Sequence, residues 1–217
     1  MDGWNKRNIF SSIFSRQDFV FYIWRVKKKI LVLDNYDSFT YNLVHYIESS
    51  GDYTVDVFRN DEIDIDIVDQ YDTIVLSPGP GLPENAGILK ELIRQYAPSK
   101  IILGVCLGMQ AIGEVFDGQL ENLENVFHGV STQLFVEETN DLLFKGLPQT
   151  FQIGRYHSWV ISSKNFPKDL VVTSKDENGQ IMSLKHMDYQ LYGVQFHPES
   201  VLTEYGKELI NNFLEIE

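Results

Sequence analysis

Short apolar runs alternate with helical segments over residues 29–116, and this alternation restricts the possible folds more than any other feature of the sequence. Ile30-Leu31-Val32-Leu33 is a continuous apolar run, as expected of a strand that is covered on both faces in a parallel sheet. After it we predict a helix over residues 39–50, with Ser38 as its N-cap and Gly51 as its stop. Repeated strand–helix alternation of this kind predicts a mostly parallel sheet with helices on its faces.

The rest of the chain extends the pattern and then changes it. Further strands are predicted at residues 53–58, 73–76 and 101–105, and further helices at residues 84–96 and 107–116. Beyond Gly118 the sequence becomes strand-rich, with strands predicted at residues 132–136, 170–173, 180–184 and 191–196 and a last helix at residues 204–214. The predicted fold is therefore α/β and three-layered, with a mostly parallel central sheet, helices on both faces and a strand-rich C-terminal half.

Composition excludes several classes of protein. The net charge of −13 opposes binding to a phosphate backbone, so no nucleic-acid partner is expected. A single cysteine excludes an internal disulfide framework and multi-cysteine zinc or iron–sulfur sites. No apolar run reaches the roughly 18 residues that cross a membrane. We expect a reduced, cytoplasmic and soluble protein.

The charge is unevenly distributed along the chain. Residues 1–29 hold seven basic side chains against two acidic ones, whereas the remainder is strongly acidic. We therefore expect a basic N-terminal extension over residues 1–29 and one folded domain over residues 30–217. The extension is interpreted as an appended leader or, alternatively, as an amphipathic helix on a membrane surface.

The only cysteine lies at a predicted strand-to-helix corner, in Gly104-Val105-Cys106-Leu107-Gly108. This is the arrangement of a nucleophile elbow with cysteine in place of serine. The N–H groups and dipole of a helix N-terminus stabilise a thiolate. A lone cysteine is more often a small buried apolar residue, but the flanking glycines, which are costly in a helix interior, favour the elbow.

A histidine and a carboxylate lie at the end of the last predicted strand, in Gln195-Phe196-His197-Pro198-Glu199. Proline favours an extended residue before it, and side chains two apart in an extended chain point the same way. His197 and Glu199 could therefore act as a pair, in which the carboxylate orients the imidazole and stabilises its protonated form. The alternative is a surface histidine beside a solvated glutamate.

A Pro- and Gly-rich loop, Ser77-Pro78-Gly79-Pro80-Gly81-Leu82-Pro83, follows a third predicted strand. Proline has no N–H, so Gly79, Gly81 and Leu82 are the donors in its central part, and a fixed N–H is what an oxyanion hole needs. Alone, the loop is as well explained as an ordinary tight turn. Thiol, imidazole, carboxylate and donor loop together predict acyl transfer through a thioester.

These motifs resemble class I glutamine amidotransferases over the chain from Lys29 to its C-terminus. Further similarity, to the glutaminase subunits of anthranilate synthase and of aminodeoxychorismate synthase, is carried by Asp34-Asn35-Tyr36-Asp37-Ser38-Phe39-Thr40-Tyr41-Asn42-Leu43, His128-Gly129, Arg155-Tyr156-His157-Ser158 and His197-Pro198-Glu199-Ser200-Val201-Leu202-Thr203.

The resemblance implies roles for individual residues. Cys106 would be the nucleophile, His197 the proton shuttle and Glu199 its orienting carboxylate. The backbone N–H groups of Leu107 and Gly81 would form the oxyanion hole. The glutamine pocket would be lined by Gly79, Pro80, Gly81, Gln110, Ser158 and Trp159, although many members carry leucine where this chain has Trp159.

The resemblance also implies a chorismate-binding synthase subunit that consumes the ammonia, in a hetero-oligomer. Its docking surface is expected at Asn35, Tyr36, Asp37, Ser38 and His128. No cofactor is expected in this chain, and any magnesium would belong to the partner.

Four alternatives stay open from the sequence. The same chemistry could serve aminodeoxychorismate rather than anthranilate synthesis, or both. The chain could be an amidotransferase of guanylate or histidine synthesis, a cysteine peptidase, or a catalytically silent regulatory subunit.

Overall fold

The computed structural model describes residues 28–51 and 53–217, so almost all of the predicted N-terminal extension lies outside the described residues. The strands are β1 (Lys28–Asp34), β2 (Tyr53–Arg59), β3 (Thr73–Leu76), β4 (Ile101–Val105), β5 (Leu120–Asn122), β6 (Val130–Val136), β7 (Thr150–Arg155), β8 (Trp159–Ile161), β9 (Leu170–Asp176), β10 (Ile181–His186) and β11 (Leu191–Val194). The helices are α1 (Thr40–Ser49), α2 (Leu89–Tyr96), α3 (Leu107–Val115) and α4 (Gly206–Leu214), and short 3-10 helices span Ile65–Gln70, Pro83–Asn85 and Leu142–Phe144.

Nine strands form one sheet in the order β2-β1-β3-β4-β11-β10-β9-β6-β7. The pairings from β2 to β11 are parallel, whereas those from β11 to β7 are antiparallel. Four of the five parallel strands, β1 to β4, come from the segment where strand–helix alternation predicted a parallel sheet, and the fifth, β11, comes from the strand-rich C-terminal half. β5 and β8 form a separate antiparallel pair.

Helices cover both faces of the parallel part. Leu43 of α1 and Phe213 of α4 belong to the same buried cluster as Val32 of β1. On the other face, Leu92 of α2 and Ile112 of α3 belong to a second cluster. The predicted three-layer α/β fold is therefore confirmed.

Two predicted helix starts are wrong. Ser38 is not the N-cap of α1: Phe39 occupies that position without a side-chain cap, while Asp37 Oδ1 accepts from the Phe39 N–H at 2.7 Å. The helix predicted from Glu84 begins instead at Leu89, because Gly87 adopts φ +50° and packs against the backbone of Asn60.

Three strands were not anticipated, and their composition explains why. β5 and β8 have three residues each, too few for a detectable period, and β7 is the polar stretch Thr-Phe-Gln-Ile-Gly-Arg. Within the described residues, no helix has the length and apolar character needed to span a membrane.

Contact between β4 and α3 depends on two glycines. A Cβ on Gly104 would lie 2.5 Å from the Gly108 carbonyl carbon, and a Cβ on Gly108 would lie 2.7 Å from the Leu76 carbonyl oxygen. Both neighbours are backbone atoms and cannot move aside like a side chain. Glycine at both positions therefore lets α3 approach β3 and β4 more closely than residues with a Cβ would allow.

We predict that Gly104→Ala lowers the free energy of unfolding by about 1–3 kcal/mol or more, because it forces the backbones of β4 and α3 apart. Urea denaturation followed by circular dichroism measures the change. Gly51→Ala is the matched control, since its Cβ would meet only the edge of the Tyr53 ring at 3.2 Å. Equal midpoints for the two variants would show that the close contact is not required.

Candidate active site

Cys106 lies between β4 and α3 in a conformation that few residues adopt. Its φ is +53° and its ψ is −100°, and its N–H donates to the Val194 carbonyl at 2.8 Å. Backbone strain of this kind is concentrated at functional sites. Leu107 follows as the first residue of α3, where N–H groups have no intrahelical acceptor. The side chain of Cys106 and free donors thus begin the same helix.

His197 and Glu199 form a buried pair in which Nδ1 and Oε1 are 2.7 Å apart. The segment that joins the two residues is not an extended chain. The Ser200 N–H donates to the His197 carbonyl at 3.2 Å, so the segment is a turn, and the Thr203 hydroxyl donates to the same carbonyl at 2.6 Å. The turn, rather than the period of a strand, brings the two side chains together.

The pair favours a charged imidazole. Burial opposes the charge on His197, but the Cys106 sulfur and the hydrogen bond to Glu199 outweigh it and raise the pKa of His197 to about 10. Within the described residues, Nε2 has no hydrogen-bond partner of ordinary length. It is the ring nitrogen left free to exchange a proton with a sulfur or a substrate.

Two aromatic rings hold the imidazole from its sides. The Tyr156 ring centre lies 4.9 Å from that of His197, and the Phe39 ring meets the imidazole edge-on at 5.8 Å. The Tyr156 hydroxyl is also 2.9 Å from the Ser200 hydroxyl. Phe39 is the N-cap residue of α1, so the start of this helix touches the histidine.

The Pro- and Gly-rich loop is anchored from beneath by a buried amide. Asn35 donates from its backbone N–H to the Ser77 hydroxyl and from its side chain to the Ser77 carbonyl, both at 2.8 Å, and it accepts from Asn60 at 3.0 Å. A Cβ on Gly79 would lie 2.6 Å from Asn35, whereas Gly81 adopts φ +76° with open space beside it. Because Asn35 is only 2% exposed, its expected place in a partner interface is wrong; it supports the loop instead.

A cavity of about 270 Å³ lies between this loop, the elbow and the β7–β8 connection. It is lined by Gly79, Pro80, Gly81, Cys106, Gln110, Tyr156, His157, Ser158 and Trp159. The structure thus brings all six residues of the expected glutamine pocket together around the cysteine. A cavity near the small end of ligand pockets suits a molecule of amino-acid size.

A family model for class I glutamine amidotransferases matches residues 31–216, nearly the whole described chain. The chain belongs to this family.

Relatives with assigned names cover the same region. The chain is 47% identical over 189 residues to anthranilate synthase component 2 of Pyropia yezoensis, covering 86% of this chain and 98% of that protein. It is 43% identical over 188 residues to aminodeoxychorismate/anthranilate synthase component 2 of Bacillus subtilis, covering 86% of this chain and 95% of that protein. It is also 44% identical to the bifunctional protein TrpGD of Thermotoga maritima over 88% of its own length, but spans only 33% of that protein.

Solved structures support the same fold. A Thermoplasma acidophilum protein named for a subunit of GMP synthase superposes with a TM-score of 0.77 at 27% identity, over 87% of this chain and 92% of that one. A glutamine amidotransferase from Thermotoga maritima superposes with a TM-score of 0.72 at 16% identity, over 87% of this chain and 96% of that one. At this identity the similarity shows the fold alone.

Two buried groups of this amidotransferase were not identified from the sequence as parts of its site. Gln195 donates from Nε2 to the Cys106 sulfur at 3.6 Å. Arg155 donates from Nε to His157 Nε2 at 3.1 Å, and its guanidinium pairs with Asp176 at 2.6 Å. Gln195 directly precedes Phe196-His197, and this adjacency was the available signal. Arg155 stands in the Arg155-Tyr156-His157-Ser158 motif, but its buried pairing could not be found from the sequence because Asp176 lies on β9.

His157, on the cavity wall of the amidotransferase, differs in charge from His197. Burial, followed by the charge of Arg155, lowers the pKa of His157 to about 3 in spite of its contact with the Trp159 carbonyl. It is therefore neutral over the physiological range. Among the described residues, no group of histidine, cysteine and carboxylate side chains could hold a metal ion.

The remaining residues of the expected docking surface are exposed or partly exposed. Tyr36 is 48% exposed, and Ser38 and His128 are exposed, while Asp37 is half-buried. His128 lies edge-on to Tyr156, which in turn touches His197. His128 is therefore connected to the cavity through Tyr156, which lines it.

We predict that the pKa values of His197 and His157 in this amidotransferase depart from the ordinary histidine value in opposite directions. His197 stays doubly protonated at about pH 8, below its pKa of about 10, and His157 stays neutral at about pH 5, above its pKa of about 3. Nitrogen-15 NMR of the imidazole rings measures both states, with His197→Asn and His157→Asn used for assignment.

The control for this titration is Cys106→Ala, which removes a group that raises the pKa of His197 and so should lower its midpoint. Titration of both rings near the ordinary value of about 6.5 contradicts the electrostatic description.

Proposed function

We propose that this chain is the glutaminase subunit of anthranilate synthase. It hydrolyses glutamine through Cys106, His197 and Glu199 and supplies ammonia to a chorismate-using synthase subunit. The observation that carries the proposal is the cavity of amino-acid size with the cysteine on its wall and a His–Glu pair that acts on the sulfur. The names of the relatives from Pyropia yezoensis and Bacillus subtilis support the choice of synthase.

The chemistry follows from the charge state of the pair. The Cys106 thiolate attacks the side-chain carbonyl carbon of glutamine, and a tetrahedral oxyanion forms. Protonated His197 gives its proton to the leaving nitrogen as the C–N bond breaks, which releases ammonia and leaves a thioester. Neutral His197 then takes a proton from water, whose oxygen attacks the thioester, and glutamate leaves as the sulfur regains its negative charge.

The oxyanion is proposed to accept hydrogen bonds from two backbone N–H groups. The first is that of Leu107, at the start of α3, and the second is that of Gly81. The positive φ of Gly81 supports this role, because it turns the peptide in a way that other residues resist. None of these steps uses a metal ion, and magnesium is assigned to the synthase partner.

A partner is required by the fate of the product, since ammonia that escapes is protonated and lost to the synthase. We place the partner over the entrance side of the cavity, at Tyr36, Asp37, Ser38 and His128. Exposed apolar side chains flank these residues and extend the surface, namely Tyr41, Val126 and Val201. Exposed apolar patches that surround a site are typical of protein interfaces.

The alternative product is aminodeoxychorismate, and the Bacillus subtilis relative is named for both synthases. The glutaminase site is the same in either case, because the partner's active site determines the product. An amidotransferase of guanylate synthesis has less support, since the structural relative of that name is 27% identical. We assign the chain to the cytoplasm, where its one cysteine stays reduced.

The proposal predicts glutamine-dependent anthranilate formation when this chain is mixed with the anthranilate synthase large subunit of its own organism. Cys106→Ala should lower the glutamine-driven rate by at least about 10³-fold, because the nucleophile is lost, while the ammonia-driven rate persists. Anthranilate fluorescence measures both rates. A partner that works with ammonia but not with glutamine and this chain contradicts the assignment. The same assay with an aminodeoxychorismate synthase then tests the alternative product. Treatment with an electrophilic glutamine analogue tests for a silent subunit, in which Cys106 would not be labelled.

The docking surface predicts that synthase binding raises glutaminase turnover and that Val201→Glu weakens the complex at least about tenfold. Val201 is 97% exposed and directly follows Ser200, so a charge there would be buried without a partner. Isothermal titration calorimetry gives the affinity.

Met187→Glu is the matched control for the docking experiment. Met187 is 64% exposed and lies before β11, at the end of that strand remote from the site. Equal affinity of the two variants for the synthase would place the interface elsewhere.

A further inference from the structure

The Cys106 sulfur is the end point of a connected series of buried and partly buried hydrogen bonds. Gln195 is fully buried and its Nε2 donates to the sulfur at 3.6 Å. Its Oε1 accepts from Gln110 Nε2 at 3.2 Å, and the same Nε2 donates to the Trp159 carbonyl at 2.8 Å. Both ends of the Gln195 carboxamide are therefore engaged, one of them by the reacting atom.

Two groups determine the directions of the bonds in the series. Arg155 determines the direction of the bond to His157, and the Trp159 carbonyl determines the directions of the two amide bonds. Arg155 has no acceptor, so His157 Nε2 must accept from it and His157 Nδ1 must carry the proton. Nδ1 is 3.1 Å from the Trp159 carbonyl and donates to it. A carbonyl only accepts, so Gln110 must turn its Nε2 toward Trp159. Its Nε2 then also faces Gln195.

Donor and acceptor matching also determines the orientation of the Gln195 carboxamide. Gln195 must present Oε1 to the Gln110 donor, which leaves its Nε2 for the sulfur. Rotation of the Gln195 amide by half a turn would place two donors together and an oxygen against the sulfur. The alternative orientation is excluded by hydrogen bonding alone.

The far end of the series is rigid. Arg155 is fully buried, pairs with Asp176 at 2.6 Å and donates to Gln180. The Phe127 ring lies 3.6 Å from its guanidinium carbon. Asp176 also accepts from the backbone N–H groups of Asn178 and Gln180. Because the Arg155 guanidinium is held on several sides, it cannot turn away from His157. His157 therefore keeps the tautomer in which Nε2 accepts a hydrogen bond.

We propose that Gln195 is a catalytic residue that donates a hydrogen bond to the Cys106 thiolate, and that Gln110, oriented by the Trp159 carbonyl, is the positioning residue that fixes the direction of this donor. The proposal rests on the glutaminase function given above. In a buried site, an N–H directed at a negative sulfur favours the thiolate over the thiol and restricts its rotation. The donor is needed each time the thiolate forms, before attack and after release of glutamate.

Gln195 is not part of the cavity wall, whereas Gln110 is. Loss of the Gln195 donor should therefore affect the reactivity of the sulfur and leave the binding of glutamine unchanged. This difference separates the proposed role from a role in shaping the pocket.

The first test is the pH dependence of Cys106 alkylation by iodoacetamide, which is unambiguous because the chain has one cysteine. His197 with Glu199, His157 and Tyr156 are the titratable groups around the sulfur, and they are retained in every variant. Gln195→Met keeps the length of the side chain without its N–H and should raise the midpoint by about one pH unit, a tenfold loss of thiolate at a given pH. Gln195→Glu keeps the shape and should raise it further, because a carboxylate repels the thiolate.

The second test is glutaminase kinetics in the presence of the synthase partner. Gln195→Met and Gln195→Glu should each lower kcat for glutamine hydrolysis by about 10- to 100-fold. The KM for glutamine should stay within about twofold of that of the unchanged protein. Gln110→Met removes the donor that orients Gln195, so it should also raise the alkylation midpoint, by less than Gln195→Met.

Thr173→Val is the matched control for both tests. Thr173 is fully buried and loses a hydrogen bond to Ser183 at 2.6 Å, but it lies on β9 and does not line the cavity. Its alkylation midpoint and kcat should equal those of the unchanged protein. Urea unfolding of each variant establishes that it is folded at the assay temperature.

Unchanged midpoints in Gln195→Met and Gln195→Glu, or a rise in KM at constant kcat, would overturn the proposal. Alkylation does not require glutamine turnover. A shifted midpoint in a chain that fails to hydrolyse glutamine would therefore reject the proposed function and retain the contact between Gln195 and the sulfur.

Discussion

The backbone contact between β4 and α3 is the constraint on which the site depends. Gly104 and Gly108 bring the strand and the helix to a separation that excludes any Cβ, and the residue between them must turn sharply. Cys106 occupies that turn at φ +53°, a strained conformation for a residue with a side chain. The surrounding contacts are numerous enough to enforce it, so the sulfur and the first N–H groups of α3 occupy fixed positions.

The topology of the sheet places the remaining groups beside this turn. β11 runs parallel to β4 in register, with Val194 opposite Val105, so both strands end at the same edge. The Cys106 N–H donates to the Val194 carbonyl at 2.8 Å, and the chain then continues through Gln195 to the His197–Glu199 turn. Distant parts of the sequence meet because parallel strands that end together deliver their following loops to one place.

Sequence reasoning succeeded where the signal is local and failed where it depends on tertiary contacts. The apolar runs of β1 and β4 and the glycines around Cys106 follow from burial and backbone geometry, and both can be read from consecutive residues. The role of Asn35 could not be read from the sequence. Its polar, loop-like surroundings suggest exposure, whereas its side chain is hydrogen-bonded to Ser77. β7 was missed because its inward-facing residues include a fully buried arginine, which no hydrophobic period reveals.

That arginine bears on the question of what a buried ion pair contributes. Removing two charges from water costs about as much as their attraction returns, so Arg155 and Asp176 add little to stability as a pair. Their contribution is directional: a permanent donor at Arg155 selects the tautomer of His157, whose Nε2 must accept and whose Nδ1 must donate to the Trp159 carbonyl. An apolar side chain in place of Arg155 would leave His157 Nε2 without this donor. The buried charges are therefore better explained by the order they impose on a histidine of the cavity wall than by the stability of the fold.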